Sequence, residues 1–472
     1  MELDEKYNKL IHFFKEISKV PRNSKKEEKI ASYLCEFAQK RNLWYRVDES
    51  NNVIIKKKAS KGYEDKKTIL FQAHTDMVCE KTKDSTHNFN SDPIEIIETT
   101  KILTAKDTTL GADDGIGVAY LLLLLDDEDI PHPNIECLFT TQEEIGMYGA
   151  RDFNYSDVEA SYLINLDGEE ENTAIVGCAG GVSVSYIKNI DFKNESNEVY
   201  RLTISGLFGG HSGVDIDKNR INSNYLASKI LSNIEDVRLI SFIGGNKDNA
   251  IANNTEVIFS TKEKNIDLCL NRALEDIKLT DADKNLKVDI ESIDYEGESI
   301  SLEESKKIIS LISSLKQNVI EYSKDVEGLV ETSGNIGIVR VENGKVLVIE
   351  SLRSSVDLKK DEVKKQNNNL ALSLGFEVLE EGSYPGWKYN VNSKLKDIYV
   401  NAYKKNHNGE TPIVCAIHAG VECGMIYEKL PYLDMISLGP DVKDVHTVKE
   451  TLYLESCRKL LYTLIDIIQN LD

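Results

Sequence analysis

Residues Ile69-Leu70-Phe71-Gln72-Ala73-His74-Thr75-Asp76 form a short apolar run that ends in a histidine and an acid. The run has the length and composition of a buried strand. Similar runs occur at Ile135–Thr140 and Tyr162–Leu166, and a strongly helical segment, Ile116–Leu125, lies between the first two runs. Strands that alternate with helices predict an α/β domain in which helices cover a mainly parallel mixed sheet.

Segments on both sides of this core continue the α/β pattern. Helices are predicted at 7–19, at 25–40, near 393–405 and from about 448 to 471, and strands at Asn52–Lys56 and Met435–Leu438. The C-terminal segments resemble the N-terminal ones in their apolar spacing. We therefore expect the two ends of the chain to form one catalytic domain, residues 1–185 and 387–472.

The composition changes after about residue 185, where Lys, Asn, Ser and Glu become more frequent. Strands are predicted at Tyr200–Ser205, Arg238–Ile243, Glu256–Ser260 and Lys287–Ile293, with helices near 218–233 and 265–278 between them. This order is that of a βαββαβ sandwich. A second, related half is predicted from helices near 303–317 and 359–374 and strands at Gly337–Val341 and Val346–Ser351. We expect residues 186–386 to be an inserted α+β lid domain.

The composition of the chain excludes several classes of function. Its 472 residues include 57 Lys and Arg against 79 Asp and Glu, which gives a formal net charge of −22. An acidic chain lacks the basic face that neutralises phosphates or anionic lipids, so we expect no nucleic-acid partner and no membrane partner. The first residues lack a signal-peptide pattern, and the eight cysteines include no Cys-x-x-Cys pair. We therefore expect a cytoplasmic protein.

Histidines and acids follow the predicted strands at the points where the strands end. The set comprises His74, Asp76, Glu143, Glu144, Asp167 and His446, together with Asp113 and Asp114, which open the helix at Ile116. Each of these residues alone is typical of a turn, a helix cap or a solvated pair. Because the carboxyl ends of parallel strands meet at one edge of a sheet, we expect these side chains to lie close together.

Two imidazoles and three carboxylates suit a pair of divalent, zinc-like ions with one carboxylate bridging them. Two further acids, Asp76 and one of the Glu143/Glu144 pair, are then available to support a ligand or to act as a base. The residues themselves leave two choices open. Either Asp113 or Asp114 could be the bridge, and either Glu143 or Glu144 could be the ligand.

Five motifs in the sequence resemble those of a known family. They are His74-Thr75-Asp76, Gly111-Ala112-Asp113-Asp114-Gly115, Thr141-Gln142-Glu143-Glu144-Ile145-Gly146, Asn165-Leu166-Asp167-Gly168-Glu169 and Phe208-Gly209-Gly210-His211-Ser212-Gly213. Together they resemble the carnosinase/aminoacylase superfamily of two-zinc metallopeptidases. Ile417-His418-Ala419-Gly420-Val421-Glu422-Cys423-Gly424 is similar to the bacterial cytosolic Xaa-His dipeptidases, also called aminoacyl-histidine dipeptidases. The resemblance runs from the first helix to the last.

The resemblance implies roles for seven of the histidines and acids named above. His74 and Asp167 would bind one ion, Glu144 and His446 the other, and Asp113 would bridge them. Glu143 would be the general base and Asp76 would orient His74. The resemblance also implies a cis peptide bond after Asp113. We expect two divalent ions, zinc in the first place and cobalt or manganese as alternatives.

Further residues are candidates for contacts with the substrate. His211, between glycines at the end of a lid strand, is the candidate donor to the oxyanion, and the alternative is an ordinary loop histidine. Arg353 resembles the arginine with which the family binds the substrate carboxylate, and the alternative is a surface arginine. His418, Glu422 and Asn249 are weaker candidates for substrate binding. Glu422 would hold the substrate amino group. The alternative for both His418 and Glu422 is a structural role as a hydrogen-bonding partner.

The expected activity is that of a metal-dependent dipeptidase that hydrolyses short peptides, with carnosine-like Xaa-His dipeptides as the leading substrates. A hydroxide that bridges the metals would attack the peptide carbonyl, and Glu143 would act as the base. The alternatives are an aminotripeptidase or an N-acyl-amino-acid deacylase on the same metal core, and a non-catalytic peptide-binding protein. The sequence does not decide between a homodimer and a monomer. It also leaves open the position of the lid and whether His211 acts within its own chain.

Overall fold

The structure is a computed structural model that describes residues 2–193, 198–275, 277–324 and 326–472. The predicted helix at 265–278 includes residue 276, which lies outside these ranges. The chain forms two compact units. The first contains the residues up to Cys178 together with Tyr389–Ala416 and Val421–Asp472, and the second contains Ala179–Lys388 and Ile417–Gly420.

The helices and strands are numbered along the chain. The strands are β1 (Trp44–Val47), β2 (Val53–Lys57), β3 (Ile69–His74), β4 (Ile96–Glu98), β5 (Ile102–Ala105), β6 (Ile135–Thr140), β7 (Tyr162–Asn165), β8 (Thr173–Cys178), β9 (Gly180–Asn189), β10 (Phe192–Lys193), β11 (Glu198–Ser205), β12 (Gly210–His211), β13 (Arg238–Gly244), β14 (Ala250–Ile251), β15 (Thr255–Thr261), β16 (Lys287–Ile293), β17 (Ser299–Ile300), β18 (Asn318–Tyr322), β19 (Val330–Glu342), β20 (Lys345–Ser354), β21 (Glu377–Tyr384), β22 (Ile413–Ile417), β23 (Asp434–Ser437), β24 (Val442–Lys443) and β25 (Thr451–Tyr453). The α-helices are α1 (Glu2–Ile17), α2 (Glu28–Lys40), α3 (Ala112–Asp126), α4 (Tyr148–Asp152), α5 (Ser223–Ser232), α6 (Ile266–Leu274), α7 (Leu302–Ser314), α8 (Asp357–Ser373), α9 (Lys394–Asn406), α10 (Glu422–Lys429) and α11 (Leu454–Gln469).

A mixed sheet forms the centre of the first unit. Its strand order over the described residues is β1-β2-β6-β3-β7-β23-β8-β22. The inner strands β6, β3, β7 and β23 run parallel, whereas β1 and β2 join at one side in antiparallel fashion. Every residue of β3, β6 and β7 is buried, which explains their continuous apolar sequences. The predicted α/β class with a mixed sheet is confirmed.

Helix α3 packs against this sheet and has no polar face. All residues from Ile116 to Leu125 are buried, in a core to which α1 and α11 also contribute. A helix that is apolar on all sides is expected where it is covered by other helices as well as by a sheet. Among the described residues, no helix combines the length and the apolar character that a bilayer span requires.

The second unit contains a predominantly antiparallel sheet whose order is β16-β11-β15-β13-β19-β20-β9-β21 over the described residues, with β18 paired to β19. The elements β11-α5-β13-β15-α6-β16 follow each other in the chain, and their strands take the order 4-1-3-2 in the sheet. This is the predicted βαββαβ arrangement. The elements β9-α7-β19-β20-α8-β21 repeat the same order in the other half of the sheet. The predicted relation between the two halves is therefore visible in the topology.

The two halves of this sheet meet along a short seam between β13 and β19. Phe242, Ile243 and Gly244 pair with Val341, Arg340 and Val339. The Arg340 guanidinium donates to the carbonyl oxygens of Gly244 and Gly245 at 2.7 and 2.6 Å. Hydrogen bonds to a charged donor are stronger than those between neutral groups, so Arg340 reinforces the seam.

One short segment differs from the predicted division of the chain. Residues Ile417–Gly420 belong to the second unit, whereas the sequence assigned them, with the rest of 387–472, to the catalytic domain. The reason is that this segment contacts residues of the second unit. Ala179 donates its N–H to the carbonyl of Ile417, and His418 contacts Ser333. The predicted boundaries at residues 185 and 386 otherwise stay predictions.

Candidate active site

Four of the predicted metal-binding segments follow the parallel strands of the first unit. His74 is the last residue of β3, Asp167 lies two residues beyond β7, and Glu144 lies four residues beyond β6. His446 follows β23 by way of β24. The register pairs Ile69 of β3 with the first residues of both β6 and β7, so the carboxyl ends of these strands lie at the same edge.

Asp113 lies between the two histidines of this group. Its Oδ1 is 2.9 Å from Nε2 of His74, and its Oδ2 is 3.0 Å from Nε2 of His446. Asp167 Oδ1 is 3.3 Å from His74 Nε2, and Glu144 Oε2 is 2.9 Å from His446 Nε2. The structure thus brings all five predicted ligands together as two histidine–carboxylate pairs with one aspartate between them.

Asp114 lies beside this group but has different contacts. Its Oδ1 accepts from the N–H of Gly117 at 3.1 Å, and its Oδ2 accepts from the N–H of His74 at 3.2 Å. The peptide bond between Asp113 and Asp114 is cis, as the family resemblance implies. One Asp114 oxygen also lies within 4.8 Å of ligand atoms of His74 and Asp167, so distance alone would admit it as a ligand. We keep Asp113 as the proposed bridging ligand because the Asp114 oxygens already accept backbone hydrogen bonds.

Glu143 and Glu144 are held in place by Asp76. The Asp76 carboxylate accepts from the N–H groups of Glu143 and Glu144 at 3.0 and 3.3 Å, and from the Ser24 hydroxyl at 2.7 Å. Its Oδ1 is 3.6 Å from Nδ1 of His74, whereas its own backbone carbonyl is closer to this nitrogen, at 3.1 Å. Asp76 therefore connects the histidine to the turn that carries both glutamates.

The carboxylates of this group lie in a buried, acidic environment. Burial raises the pKa of Glu143 well above its ordinary value, and the neighbouring acids Asp167, Glu422 and Glu144 add to the rise. Burial raises the pKa of Asp167 to about 6, with contributions from Asp113 and Glu144. Glu144 Oε1 is buried and has no hydrogen-bond partner among the described residues. Such a concentration of buried acid is typical of a cation site.

Glu422 lies in the first unit and is fully buried. Its Oε2 accepts from the Thr140 hydroxyl at 2.7 Å and from the Gln72 side-chain amide. Burial raises the pKa of Glu422 to about 8. Its predicted contact with a substrate amino group stays a prediction.

His211 lies in the second unit, on the two-residue strand β12, where it pairs with Ala250 of β14. Its ring Nδ1 accepts from the N–H groups of Gly213 and Val214 at 3.1 and 3.2 Å. Burial and the nearby Arg353 lower the pKa of His211. A neutral ring whose Nδ1 is an acceptor carries its proton on Nε2, so His211 presents an Nε2–H donor.

Arg353 and His418 also lie in the second unit, and both side chains are buried. Arg353 donates to the Tyr384 hydroxyl at 2.8 Å, and within the described part of the chain it has no carboxylate partner. His418 Nε2 is 2.7 Å from the Ser333 hydroxyl, and burial together with Arg353 lowers the pKa of His418 to about 3. Asn249 is exposed, and its carbonyl accepts from the N–H of Ser212, next to His211. A buried guanidinium without an acid beside it favours an anionic ligand.

Some residues that contact the metal-site segments were not identified from the sequence, among them Arg22, Ser24 and Glu450. Arg22 and Glu450 bond to backbone groups of the segments that carry His74 and Asp113. Backbone partners leave no side-chain pattern in the sequence. Arg22 and Glu450 belong to no motif and no apolar repeat, so the sequence offered no reason to select them.

An α/β unit that collects histidines and acids at the carboxyl ends of parallel strands, as this one does, has the architecture of a metallohydrolase. Residues 70–470 match the family model described as Peptidase family M20/M25/M40. The chain belongs to this family and is a metallopeptidase. The resemblance and the enzyme class predicted from the sequence are confirmed.

Two relatives cover nearly the whole chain. The cytosol non-specific dipeptidase of Escherichia coli (strain K12) is 34% identical over 455 residues, which are 94% of this chain and 93% of that protein. The crystal structure of aminoacylhistidine dipeptidase from Vibrio alginolyticus is 33% identical, with a TM-score of 0.93, and covers 98% of this chain and 96% of that one. Aminopeptidase PepT from Bacillus cereus shares the fold alone, at 16% identity and a TM-score of 0.57.

Proposed function

We propose that the chain is a metal-dependent dipeptidase that acts on short peptides and includes Xaa-His dipeptides among its substrates. The observation that carries the proposal is the group of His74, Asp113, Glu144, Asp167 and His446, with contacts of 2.9 to 3.3 Å around one aspartate. The substrate class is supported by the names of the two relatives, one a non-specific dipeptidase and the other an aminoacylhistidine dipeptidase.

The residues present fit a pair of divalent ions. His74 and Asp167 would hold one ion, His446 and Glu144 the other, and Asp113 would contact both. Nitrogen and oxygen donors suit zinc, and cobalt and manganese accept the same set. Glu144 Oε1, buried without a hydrogen-bond partner in the described residues, is a donor that such an ion would satisfy. When bound, the ions would supply Lewis acidity to the peptide carbonyl and make water a stronger acid.

Glu143 is proposed as the general base, and Asp76 as the residue that fixes its position. Asp76 accepts the Glu143 N–H at 3.0 Å, which holds the turn in place. A carboxylate held in this position can accept a proton from water as a general base. Glu143 would take the proton of the attacking water and deliver it to the amine nitrogen of the leaving amino acid.

His211 is proposed to donate its Nε2–H to the oxyanion of the substrate. Removing one such donor lowers kcat by about 10²- to 10³-fold in other hydrolases. We therefore expect His211→Ala to lower kcat by that factor and to leave metal content unchanged. Steady-state kinetics with metal analysis measure both, with His87→Ala as the control because no role is proposed for His87. A His211→Ala variant with the wild-type kcat would contradict this role.

Arg353, together with the neutral His418, is proposed to bind the free carboxylate of the substrate. Asn249 and Glu422 stay the weaker candidates, Glu422 for the substrate amino group. Arg353→Met should lower kcat/KM by about 10- to 100-fold, the effect of losing a charge-assisted hydrogen bond worth roughly 1.5–3 kcal/mol. The comparison uses a dipeptide and its C-terminal amide, because the amide lacks the carboxylate. Equal losses on both substrates would exclude carboxylate binding by Arg353.

The deciding experiment is hydrolysis of a peptide panel by the metal-free protein reconstituted with zinc, cobalt or manganese. The panel contains β-Ala-His, Gly-His, other dipeptides, tripeptides and N-acyl amino acids. Faster hydrolysis of tripeptides or N-acyl amino acids would favour the alternative aminotripeptidase or deacylase activity. Peptide binding without hydrolysis under every metal would favour a non-catalytic peptide-binding protein.

Location and assembly belong to the same proposal. The name of the Escherichia coli relative places that protein in the cytosol, which supports a cytoplasmic location here. The proposed roles leave both a monomer and a homodimer open, and light scattering of the purified protein distinguishes them.

A further inference from the structure

The loop that runs from Leu110 into the first residues of α3, Ala112 and Asp113, is held by a single buried carboxylate. Glu450 Oε2 accepts from the N–H groups of Leu110 and Gly111 at 2.8 and 2.9 Å. Its Oε1 accepts from those of Ala112 and Asp113 at 2.7 and 3.2 Å. Glu450 is 3% exposed. Four consecutive N–H groups therefore point at one side chain, which fixes the backbone of Asp113.

A buried arginine holds the carbonyl side of the same loop. Arg22, which is 2% exposed, donates to the carbonyl of Gly111. The same guanidinium donates to the carbonyls of Thr75 and Asp76 at 3.0 and 3.3 Å. Arg22 thus connects the loop of Asp113 to the segment that begins with His74.

The glycines of Gly111-Ala112-Asp113-Asp114-Gly115 leave space for this arginine. A Cβ atom at Gly111 or at Gly115 would lie 2.5 Å from the terminal nitrogen of Arg22. Gly111 also has a φ of +69°, which disfavours other residues. The motif lies at the start of a helix, as predicted, and both of its glycines accommodate a buried guanidinium.

His446 and Glu450 lie in the same short segment of the chain, and both contact Asp113. His446 Nε2 is 3.0 Å from the Asp113 carboxylate, and Glu450 accepts the Asp113 backbone N–H. The segment that carries His446 and Glu450 therefore fixes the position of Asp113 relative to His446. Arg22 fixes the position of Asp113 relative to His74.

We propose that Glu450 and Arg22 are positioning residues that fix Asp113 between His74 and His446 and thereby set the affinity of this centre for its metal ions. The proposal rests on the proposed function, in which Asp113 contacts both ions. A bridging carboxylate must match two ions at once, so small movements of its backbone weaken both contacts. Residues that orient metal ligands contribute about 10- to 100-fold to metal affinity in other proteins.

The test compares Glu450→Gln with Asp127→Asn. Asp127 is also a buried carboxylate, and it accepts the N–H groups of Asp129 and Ile130 and the Lys6 ammonium. It has no proposed part in the metal centre. Both variants place an amide where a carboxylate accepted backbone N–H groups, so both should lower the melting temperature. Zinc affinity is measured by competition with a chromogenic chelator, alongside kcat, KM and thermal unfolding of the metal-free protein.

We expect Glu450→Gln to weaken zinc binding about 10- to 100-fold and to lower kcat more than it raises KM. Asp127→Asn should bind zinc as the wild type does. If Glu450→Gln loses stability but keeps the wild-type zinc affinity, Glu450 is structural only and the proposal is overturned. Should Glu450→Gln fail to fold, Arg22→Lys decides in the same assay, because lysine keeps the charge but cannot reach both groups of carbonyls.

The affinity measurement separates this proposal from the proposed function. Wild-type protein that binds zinc but hydrolyses no peptide would contradict the dipeptidase function, and the comparison of variants would still be decisive. Wild-type protein that binds no divalent ion would contradict both. Wild-type activity combined with unchanged zinc affinity in Glu450→Gln and in Arg22→Lys would overturn only the positioning role.

Discussion

Glu143→Gln is expected to lower kcat by about 10²- to 10⁴-fold while the protein keeps its metal ions. Glutamine has nearly the shape of glutamate but cannot accept a proton from water at neutral pH. The Glu143 N–H would still donate to Asp76, so the turn should keep its position. The measurement is steady-state kinetics on a dipeptide, with metal content determined on the same preparation.

Glu144→Gln is the matched control, since it makes the same chemical change at the next residue. Its carboxylate contacts His446 at 2.9 Å, so this variant should lose metal as well as activity. The two glutamates are therefore distinguished by metal content rather than by rate. Full activity in Glu143→Gln would exclude it as the base, and metal loss in both variants would make Glu143 a ligand.

Asp113→Asn is expected to reduce metal binding and to bring peptide hydrolysis to background. An amide has one acceptor oxygen, so it cannot present a negatively charged oxygen to each of His74 and His446 as Asp113 does. Metal analysis after dialysis and hydrolysis at saturating zinc measure the two effects. We expect excess zinc to restore little activity, because the bridge itself has been removed.

Asp114→Asn is the control for this experiment. Asp114 accepts backbone N–H groups from Gly117 and His74, and burial raises its pKa well above the ordinary value. Its replacement should lower stability more than metal affinity. If Asp114→Asn lost metal and Asp113→Asn kept it, the roles of the two aspartates would be exchanged.

The grouping of the proposed metal ligands was predictable because of one property of parallel sheets. Strand β3 ends in His74, and β6 and β7 run beside it, so acids after these strands had to meet at the same edge. The choice between neighbouring residues was not predictable from the residues alone. The Asp114 oxygens accept backbone hydrogen bonds from Gly117 and His74, and contacts of that kind leave no pattern in the sequence.

The inserted unit was predicted less completely than the sheet of the first unit. Strand β21 was missed because most of its residues are exposed and it includes acids and a glycine, as is common at a sheet edge. Strand β9 follows β8 directly and was not predicted, and the predicted boundary at residue 185 falls inside it. His418 was assigned to the catalytic domain because its partner Ser333 lies 85 residues away in the sequence. Contacts at such separations leave no local pattern.

The seam between β13 and β19 has a consequence for how this sheet is maintained. Among the described residues, three backbone pairs join the two βαββαβ halves there. Side chains extend this contact, because residues of both halves pack in one hydrophobic core and the Asn222 amide donates to the carbonyl of Ile336 at 2.9 Å. Because both halves belong to one polypeptide, their effective concentration is set by the length of the chain and does not change with the amount of protein in the cell. Covalent continuity thus keeps the two halves paired at any protein concentration.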